Sequence, residues 1–289
     1  MAVYRKNYHG YSALTTSLSL RFLVVARYAL RRILQSRILV AFLAAGALYT
    51  AGCAVYVYAC NNLQILDLVG VRAAAAQTTL VGSGFFSLVV KIGGGLAFLL
   101  AALSGPDLVA PDLANQGIVL YLSRPFSRAE YLLGKWSVLA LLLSVVTWIP
   151  GSVLFMLQAA LAGGGWGASH LWILGAIFLG SLYGIMLLSL LALTFSAWFR
   201  RKLAAGGAMF LVFFLGGGFA QAFNASLHTH GADILNLGQL ISTVEDDLFR
   251  QRVAPGITPG AAWFELLVIC ALCLMVIVRK IRPCEVVRG

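Results

Sequence analysis

Long apolar runs alternate with shorter polar stretches along the whole chain. Each apolar run is continuous for about 20 residues, the length that an α-helix needs to cross the hydrocarbon core of a bilayer. A β-barrel is not expected, because barrel strands alternate apolar and polar residues over about ten positions. The pattern therefore predicts an all-α integral membrane protein. Its six predicted transmembrane helices are 38–60, 80–103, 137–161, 171–195, 203–223 and 261–278.

Composition supports this interpretation. The chain is 61% hydrophobic and 11% charged, whereas soluble domains are about 45–50% apolar and about 25% charged. A single soluble core could not bury this excess of apolar side chains. A net charge of +11 would suggest nucleic-acid binding in a soluble protein. Here the basic residues cluster beside the predicted helix ends, so the lipid bilayer is the expected partner and nucleic acid is not.

The basic residues also predict the topology. Seventeen of the 21 lysines and arginines lie in the segments 1–37, 104–136, 196–202 and 279–289, three lie in the segments on the other side, and Lys91 lies within a predicted helix. The positive-inside rule assigns the basic side to the cytoplasm. We therefore predict a multi-pass protein of the inner (cytoplasmic) membrane with both termini cytoplasmic.

The predicted domain organisation follows from this topology. A cytoplasmic tail and interfacial helix occupy 1–37, a six-span transmembrane domain occupies 38–278, and a second cytoplasmic tail occupies 279–289. Within the transmembrane domain, 104–136 is cytoplasmic and 224–260 is extracytoplasmic.

A helical pattern precedes the first transmembrane helix, at 17–37. One face holds the apolar residues Leu18, Phe22, Val25, Ala29, Leu30 and Ile33, and the other holds the arginines Arg21, Arg27, Arg31 and Arg32. A basic amphipathic helix of this kind lies in the membrane interface. The alternative is that these residues are only the basic flank of the first transmembrane helix. Both interpretations place the segment on the cytoplasmic side.

The segment 104–136 is the longest polar interruption in the first half of the chain. Pro111 can occupy the first turn of a short helix, which would put Asp112 near the positive N-terminus of that helix. Pro125 predicts a break, and the S-x-x-E sequence at Ser127 is a capping box that starts a second helix. The pattern predicts helix, tight turn and helix. An ordinary loop with basic topology signals is an equal alternative.

The same segment contains a motif made of Gln116-Gly117, Arg124-Pro125, Ser127-Arg128, Glu130 and Gly134-Lys135. With this motif the chain resembles the permeases of the ABC-2 type transporter family. It is most similar to the branch that includes the multicopper-enzyme and nitrous-oxide-reductase maturation permeases. The six-helix layout and the long segment before the sixth helix also resemble the family, so the resemblance covers nearly the whole chain. Ile118 departs from it, since the family usually has threonine there.

The resemblance implies an ABC-2 (type V exporter-like) transmembrane domain that pairs with a second permease copy, as a homodimer or heterodimer, and with a separate ABC ATPase subunit. It also implies that the segment 104–136 couples the permease to the ATPase. The residues assigned to this coupling role are Asp112, Gln116, Gly117, Arg124, Pro125, Ser127, Arg128 and Glu130. ATP and Mg²⁺ are expected on the ATPase, because this chain has no G-x-x-x-x-G-K-[ST] motif. No cofactor, metal or catalytic residue is expected in this chain.

These observations predict the permease subunit of an ATP-driven exporter. The alternative is a membrane scaffold or assembly factor that transports nothing and works with an ATPase in metalloenzyme maturation. A membrane enzyme is disfavoured, because the chain contains neither H-E-x-x-H nor G-x-S-x-G.

Lys91 lies in the middle of the second predicted transmembrane helix, where a charge is costly and usually faces protein or water. Gly84, Ser87, Lys91 and Gly95 recur on one helix face. Small residues let helices approach closely, so this stripe is predicted to line a dimer seam or the translocation route, with Lys91 favouring anionic groups. The alternative is that Lys91 extends to the interface or pairs with a backbone carbonyl.

Two further patterns are interpreted as structural. In the segment 224–260, residues 234–249 have helical spacing with one apolar face, and the acidic run 245–247 is expected to be solvated. The H-x-H sequence at 228–230 with Asp233 is a weak metal signal, and we do not expect a metal there.

Overall fold

The structure is a computed structural model that describes residues 21–62, 81–114, 128–199, 201–227 and 231–280. All regular secondary structure in these ranges is helical, which confirms the predicted all-α fold. The helices are α1 (Arg21–Leu34), α2 (Arg37–Asn61), α3 (Ser83–Ser104), α4 (Pro106–Ala114), α5 (Arg128–Val146), α6 (Trp148–Ala162), α7 (Trp166–Ser169), α8 (Leu171–Trp198), α9 (Lys202–Leu227), α10 (Leu237–Leu248) and α11 (Pro259–Lys280), with a 3-10 helix at Gly231–Leu235.

Six helical segments in the described ranges are long and apolar enough to cross a membrane, as the apolar runs predicted. We number them as the first to sixth spans: Arg37–Asn61, Ser83–Asp112, Ala129–Ala162, Leu171–Trp198, Lys202–Leu227 and Pro259–Lys280. The second span contains α3 and most of α4, and the third contains α5 and α6. The orientation of these spans and the domain boundaries around them stay predictions.

The fourth span, α8, is the centre of the bundle. In its most apolar stretch 67% of the residues are buried, against 11% in the first span and 17% in the fifth. It contacts α3, α4, α5, α6, α9 and α11. A helix surrounded by other helices needs apolar residues on every side, which explains the uninterrupted apolar sequence of α8. The first and fifth spans lie at the periphery and present exposed apolar side chains.

The predicted amphipathic helix is α1, which packs mainly against α5. Ile33 is buried in the main core, and Ala29 and Leu30 pack against that core. Arg27 and Arg31 are exposed on the other face. The apolar face of α1 therefore contacts protein, and this contact links the N-terminal helix to the third span.

Two spans are interrupted. The second span changes from α3 to α4 at Gly105, and the third changes from α5 to α6 at Thr147. Pro150 has no N–H to donate to the carbonyl of Val146 four residues earlier, which accounts for the end of α5 at Val146. The break thus lies one turn before the proline.

The segment between the fifth and sixth spans folds back against the bundle. It forms the 3-10 helix and α10, whose first turn is capped by Asn236: the Oδ1 atom accepts a hydrogen bond from the Gln239 N–H at 3.2 Å. Leu240 and Val244 are fully buried, and α10 contacts α3, α8, α9 and α11. The apolar face predicted for this segment therefore packs among the spans.

Candidate functional site

The first candidate site joins the two helices that border the predicted coupling segment. The Lys135 Nζ lies 2.9 Å from Asp112 Oδ2, and the Tyr131 hydroxyl donates a hydrogen bond to the same oxygen at 2.8 Å. Tyr131 and Lys135 are one helical turn apart on α5, so both side chains reach α4 from the same face. The Lys135 ammonium also lies 5.4 Å from the centre of the Tyr131 ring. We call these three residues the Asp112 clasp.

The Asp112 clasp is largely removed from solvent. The Lys135 side chain is 7% exposed and the Asp112 side chain 20%. A second ion pair, between Asp107 at the start of α4 and Lys202 at the start of α9, is more open: the two side chains are 31% and 55% exposed, respectively. The Asp112 clasp is thus the stronger of these two connections, since exposed pairs contribute little.

Ser196 of α8 holds the start of α4. It is fully buried, and its Oγ accepts hydrogen bonds from the N–H groups of Val109 at 3.2 Å and Ala110 at 2.9 Å. The same hydroxyl donates to the carbonyl of Pro106 at 3.3 Å. One side chain of the fourth span thus satisfies three backbone groups of α4.

The expected start of this helix at Pro111 is wrong. The helix begins at Pro106, which fills the first helical position directly after Gly105, and Pro111 lies inside α4. Asp112 therefore lies in the second turn of α4, and Asp107 is the acidic residue of the first turn. Asp112 pairs with Lys135 and does not lie at the N-terminus of the helix.

Of the predicted coupling residues, the structure places Asp112 on α4, and Arg128 and Glu130 in the first turn of α5. The others, Gln116, Gly117, Arg124, Pro125 and Ser127, lie outside the described residues, so their assignment stays a prediction. Tyr131 and Lys135 were not assigned to the site from the sequence. The sequence signal for this site was Lys135, a lysine two turns into an apolar helix, since a buried ammonium requires an acidic partner.

The second candidate site is the stripe predicted on α3, which lines two cavities. Gly84, Ser87 and Lys91 line an open cavity of about 460 Å³. Lys91 and Gly95 line a second cavity of about 410 Å³ between α3, α8, α9 and α10, which we call the apolar cavity. Lys91 borders both. The contribution of the stripe to a dimer seam or a translocation route stays a prediction.

Lys91 is paired with α10. Its Nζ lies 2.6 Å from Asp246 Oδ1, so its partner is a carboxylate and not the backbone carbonyl considered from the sequence. Because the Asp246 carboxylate forms an ion pair with the Lys91 ammonium, Lys91 brings no unpaired positive charge into the apolar cavity. The two residues are 155 positions apart, which is why no local pattern revealed the pair.

The expectation that the acidic run 245–247 is solvated is wrong for Glu245, which is only 6% exposed. A Cβ atom at Gly94 would lie 3.9 Å from Glu245 Oε1, so the carboxyl lies over the glycine face of α3. Burial raises the pKa of the Glu245 carboxyl to about 7, while the Lys91 ammonium acts in the opposite direction and the Asp246 carboxylate in the same direction. Asp247 is the exposed member of the run.

No metal centre is evident in the part of the chain that the structure describes, where no group of three or more His, Cys, Asp or Glu could hold an ion. His228 and His230 of the weak metal signal lie outside the described residues. The oxygen Oδ1 of Asp233, the third member of that signal, accepts a hydrogen bond from Asn224 Nδ2 at 2.6 Å.

The described residues thus form a helical membrane bundle with cavities beside α3 and an ion pair that joins the second and third spans. Comparison of the sequence with known families identifies this bundle. The family model described as ABC-2 family transporter protein matches residues 23–280. The chain belongs to the ABC-2 transporter family. It is therefore a membrane-transport component of the permease type, and this family works with an ABC ATPase. No curated protein matches the chain significantly, and its branch within the ABC-2 family stays a prediction.

Proposed function

We propose that this ABC-2 permease is the export subunit of an ATP-driven transporter and that a separate ATPase drives it through the segment 104–136. The Asp112 clasp is the observation that carries the proposal. It joins α4, where the chain leaves the second span, to α5, where the chain enters the third. A force on the segment between them would therefore move both spans as one unit.

The connections of α4 extend this movement to the spans around the apolar cavity. Ser196 ties α4 to the fourth span, and the Asp107–Lys202 pair ties it to the fifth. The apolar cavity is lined by residues of the second, fourth and fifth spans and by α10. A displacement at the coupling segment would thus act on three of the helices that enclose the cavity.

The direction of transport and the second permease copy rest on other observations. The ABC-2 (type V exporter-like) resemblance of the sequence supports export. The low burial of the first span (11%) and the fifth span (17%) leaves apolar faces that a second copy could cover. Sequence resemblance and exposed apolar faces together support a dimeric permease with two ATPase subunits.

Co-expression with an ABC ATPase tests this proposal. We expect the two proteins to purify as a stoichiometric complex whose ATP hydrolysis changes when the permease is present. Asp112→Asn should weaken this effect and leave complex formation intact, and Asp247→Asn, an exposed carboxylate on α10, is the matched control. A stable complex that contains only partners without ATPase activity would refute the proposal.

A further inference from the structure

The apolar cavity has the dimensions of a small-molecule site. Its volume of about 410 Å³ falls in the range of about 300–1,000 Å³ that is typical of ligand pockets. Phe98, Phe213 and Phe214 supply aromatic surface to the lining, and the glycines of α3 and α8 leave space because they carry no side chains. A lining of this kind favours a ligand with an apolar body. It does not favour a sugar chain, whose hydroxyls would find few partners.

One hydroxyl in this lining has no partner. Ser181 is 4% exposed, and its Oγ has no hydrogen-bond partner among the described residues. The other hydroxyls of the lining, on Thr147 and Ser242, donate to the backbone carbonyls of Leu143 and Gln239. A buried hydroxyl without a partner costs free energy, and a ligand group that reaches the Ser181 Oγ would remove this cost.

When Glu245 is ionised, the three neighbouring groups Lys91, Asp246 and Glu245 together carry one net negative charge. Lys91 and Glu245 are the charged residues of the lining, and the Lys91 ammonium is bound to Asp246. The groups that face Glu245 are Lys91 from α3, Asp246 from α10 and the Tyr183 hydroxyl from α8. Glu245 is therefore left to attract a cation, and the phenylalanine rings favour a cation over their faces as well.

From this combination we propose that the apolar cavity binds an amphipathic organic amine, with its ammonium group on Glu245 and Ser181 and its apolar body against the phenylalanines. The ligand would be the cargo, so this inference rests on the proposed transport function. It also replaces the anionic preference that Lys91 suggested in the sequence. The same ammonium chemistry is present in a soluble alkylamine with an aromatic body and in the head group of an amino-phospholipid.

Two dansyl probes test the sign of the charge. Dansylcadaverine carries an ammonium group and dansyl-6-aminohexanoate a carboxylate on the same fluorophore. The full chain is placed in phosphatidylcholine nanodiscs, binding is followed by fluorescence anisotropy, and the signal of empty nanodiscs is subtracted. We expect saturable binding of dansylcadaverine that is tighter at pH 8 than at pH 6, because Glu245 is ionised at the higher pH. We expect no saturable binding of the carboxylate probe.

Two pairs of variants test whether the probe binds in the apolar cavity. Glu245→Gln should weaken dansylcadaverine binding about tenfold or more, the factor for losing one charge-assisted hydrogen bond. The matched control Asp247→Asn removes an exposed carboxylate from the same helix and should change nothing. Gly184→Leu places a side chain in the cavity and should weaken binding, whereas Gly175→Leu, at an exposed position of the same helix outside the lining, should not.

The proposal is overturned if dansylcadaverine does not bind saturably, if the carboxylate probe binds better, or if neither Glu245→Gln nor Gly184→Leu weakens binding. Adding phosphatidylethanolamine to the nanodiscs identifies the source of the amine: competition indicates a lipid head group, and unchanged affinity a soluble amine. The measurement needs no ATPase, so its failure leaves the coupling proposal standing. A permease that binds the amine and forms no ATPase complex would in turn refute only the proposed function.

Discussion

A double-mutant cycle on the Asp112 clasp measures how firmly the second and third spans are joined. Lys135→Met removes the ammonium and keeps the apolar stem, and Asp112→Asn removes the carboxylate charge with little change in shape. Each single variant leaves the other charge without its ionic partner. The double variant leaves no charge at either position, so the cycle separates the interaction from the effect of each substitution alone.

The structure sets the expected magnitudes. Removing one partner of a fully buried ion pair costs about 3–5 kcal/mol. The Lys135 side chain is 7% exposed, but that of Asp112 is 20% exposed and keeps its hydrogen bond from Tyr131. We therefore expect Lys135→Met to lower the free energy of unfolding by about 2–3 kcal/mol. The coupling free energy of the cycle should be about 1–2 kcal/mol.

The assay is equilibrium unfolding in detergent micelles with increasing SDS, followed by tryptophan fluorescence. The Asp107–Lys202 pair provides the control cycle, with Asp107→Asn and Lys202→Met, because it also joins α4 to a neighbouring span. Its side chains are 31% and 55% exposed, so its coupling free energy should stay within about 0–1 kcal/mol. Equal coupling in the two cycles, or a Lys135→Met effect below about 0.5 kcal/mol, would refute the argument from burial.

Three further predictions concern stability and use the same unfolding assay. Gly93→Ala should destabilise the protein by about 1–3 kcal/mol, since the added Cβ atom would lie 2.8 Å from the Val146 carbonyl oxygen. Gly95→Ala is the control: its added Cβ atom has no other atom within 4 Å, so the change should be neutral or slightly stabilising. Burial raises the pKa of Glu245 from its ordinary value of 4.5 to about 7. The free energy of unfolding should therefore fall as the pH rises from about 4.5 through about 7, by up to about 3 kcal/mol. Glu245→Gln should remove this pH dependence. Ser196→Ala should lower the free energy of unfolding by about 1–3 kcal/mol, because it leaves buried backbone groups of α4 without their side-chain partner. A decrease below about 0.5 kcal/mol would mean that Ser196 does not hold α4.

The six spans were predictable because each depends on a local property, a continuous apolar run. The interruption of the third span also has a local cause, because the missing N–H of Pro150 removes a hydrogen bond to the turn before it. The start of α4 was not, because both Pro106 and Pro111 suit a first helical turn. The choice between them depends on Ser196, which lies about 90 residues further along the chain and holds the backbone of the earlier turn.

The charged parts of both sites depend on contacts that no local pattern contains. The position of Lys91 was recognised as costly, but its partner Asp246 lies on a helix 155 residues away. The acidic run around Glu245 has the local composition of a solvated surface, and only the packing of α10 among the spans buries it. The Asp112–Lys135 pair joins the two sides of the predicted turn, so it required the relative placement of α4 and α5.

Photo-crosslinking from the two ends of one span tests the central claim most directly. Ala129 and Ala162 are the exposed ends of the third span, and Ala129 borders the predicted coupling segment. A photoreactive phenylalanine analogue is placed at each position in turn in the permease co-expressed with its ATPase. Coupling through the segment 104–136 predicts a covalent adduct with the ATPase from position 129 and none from position 162. An adduct from position 162, or none from position 129 in an intact and active complex, would contradict it.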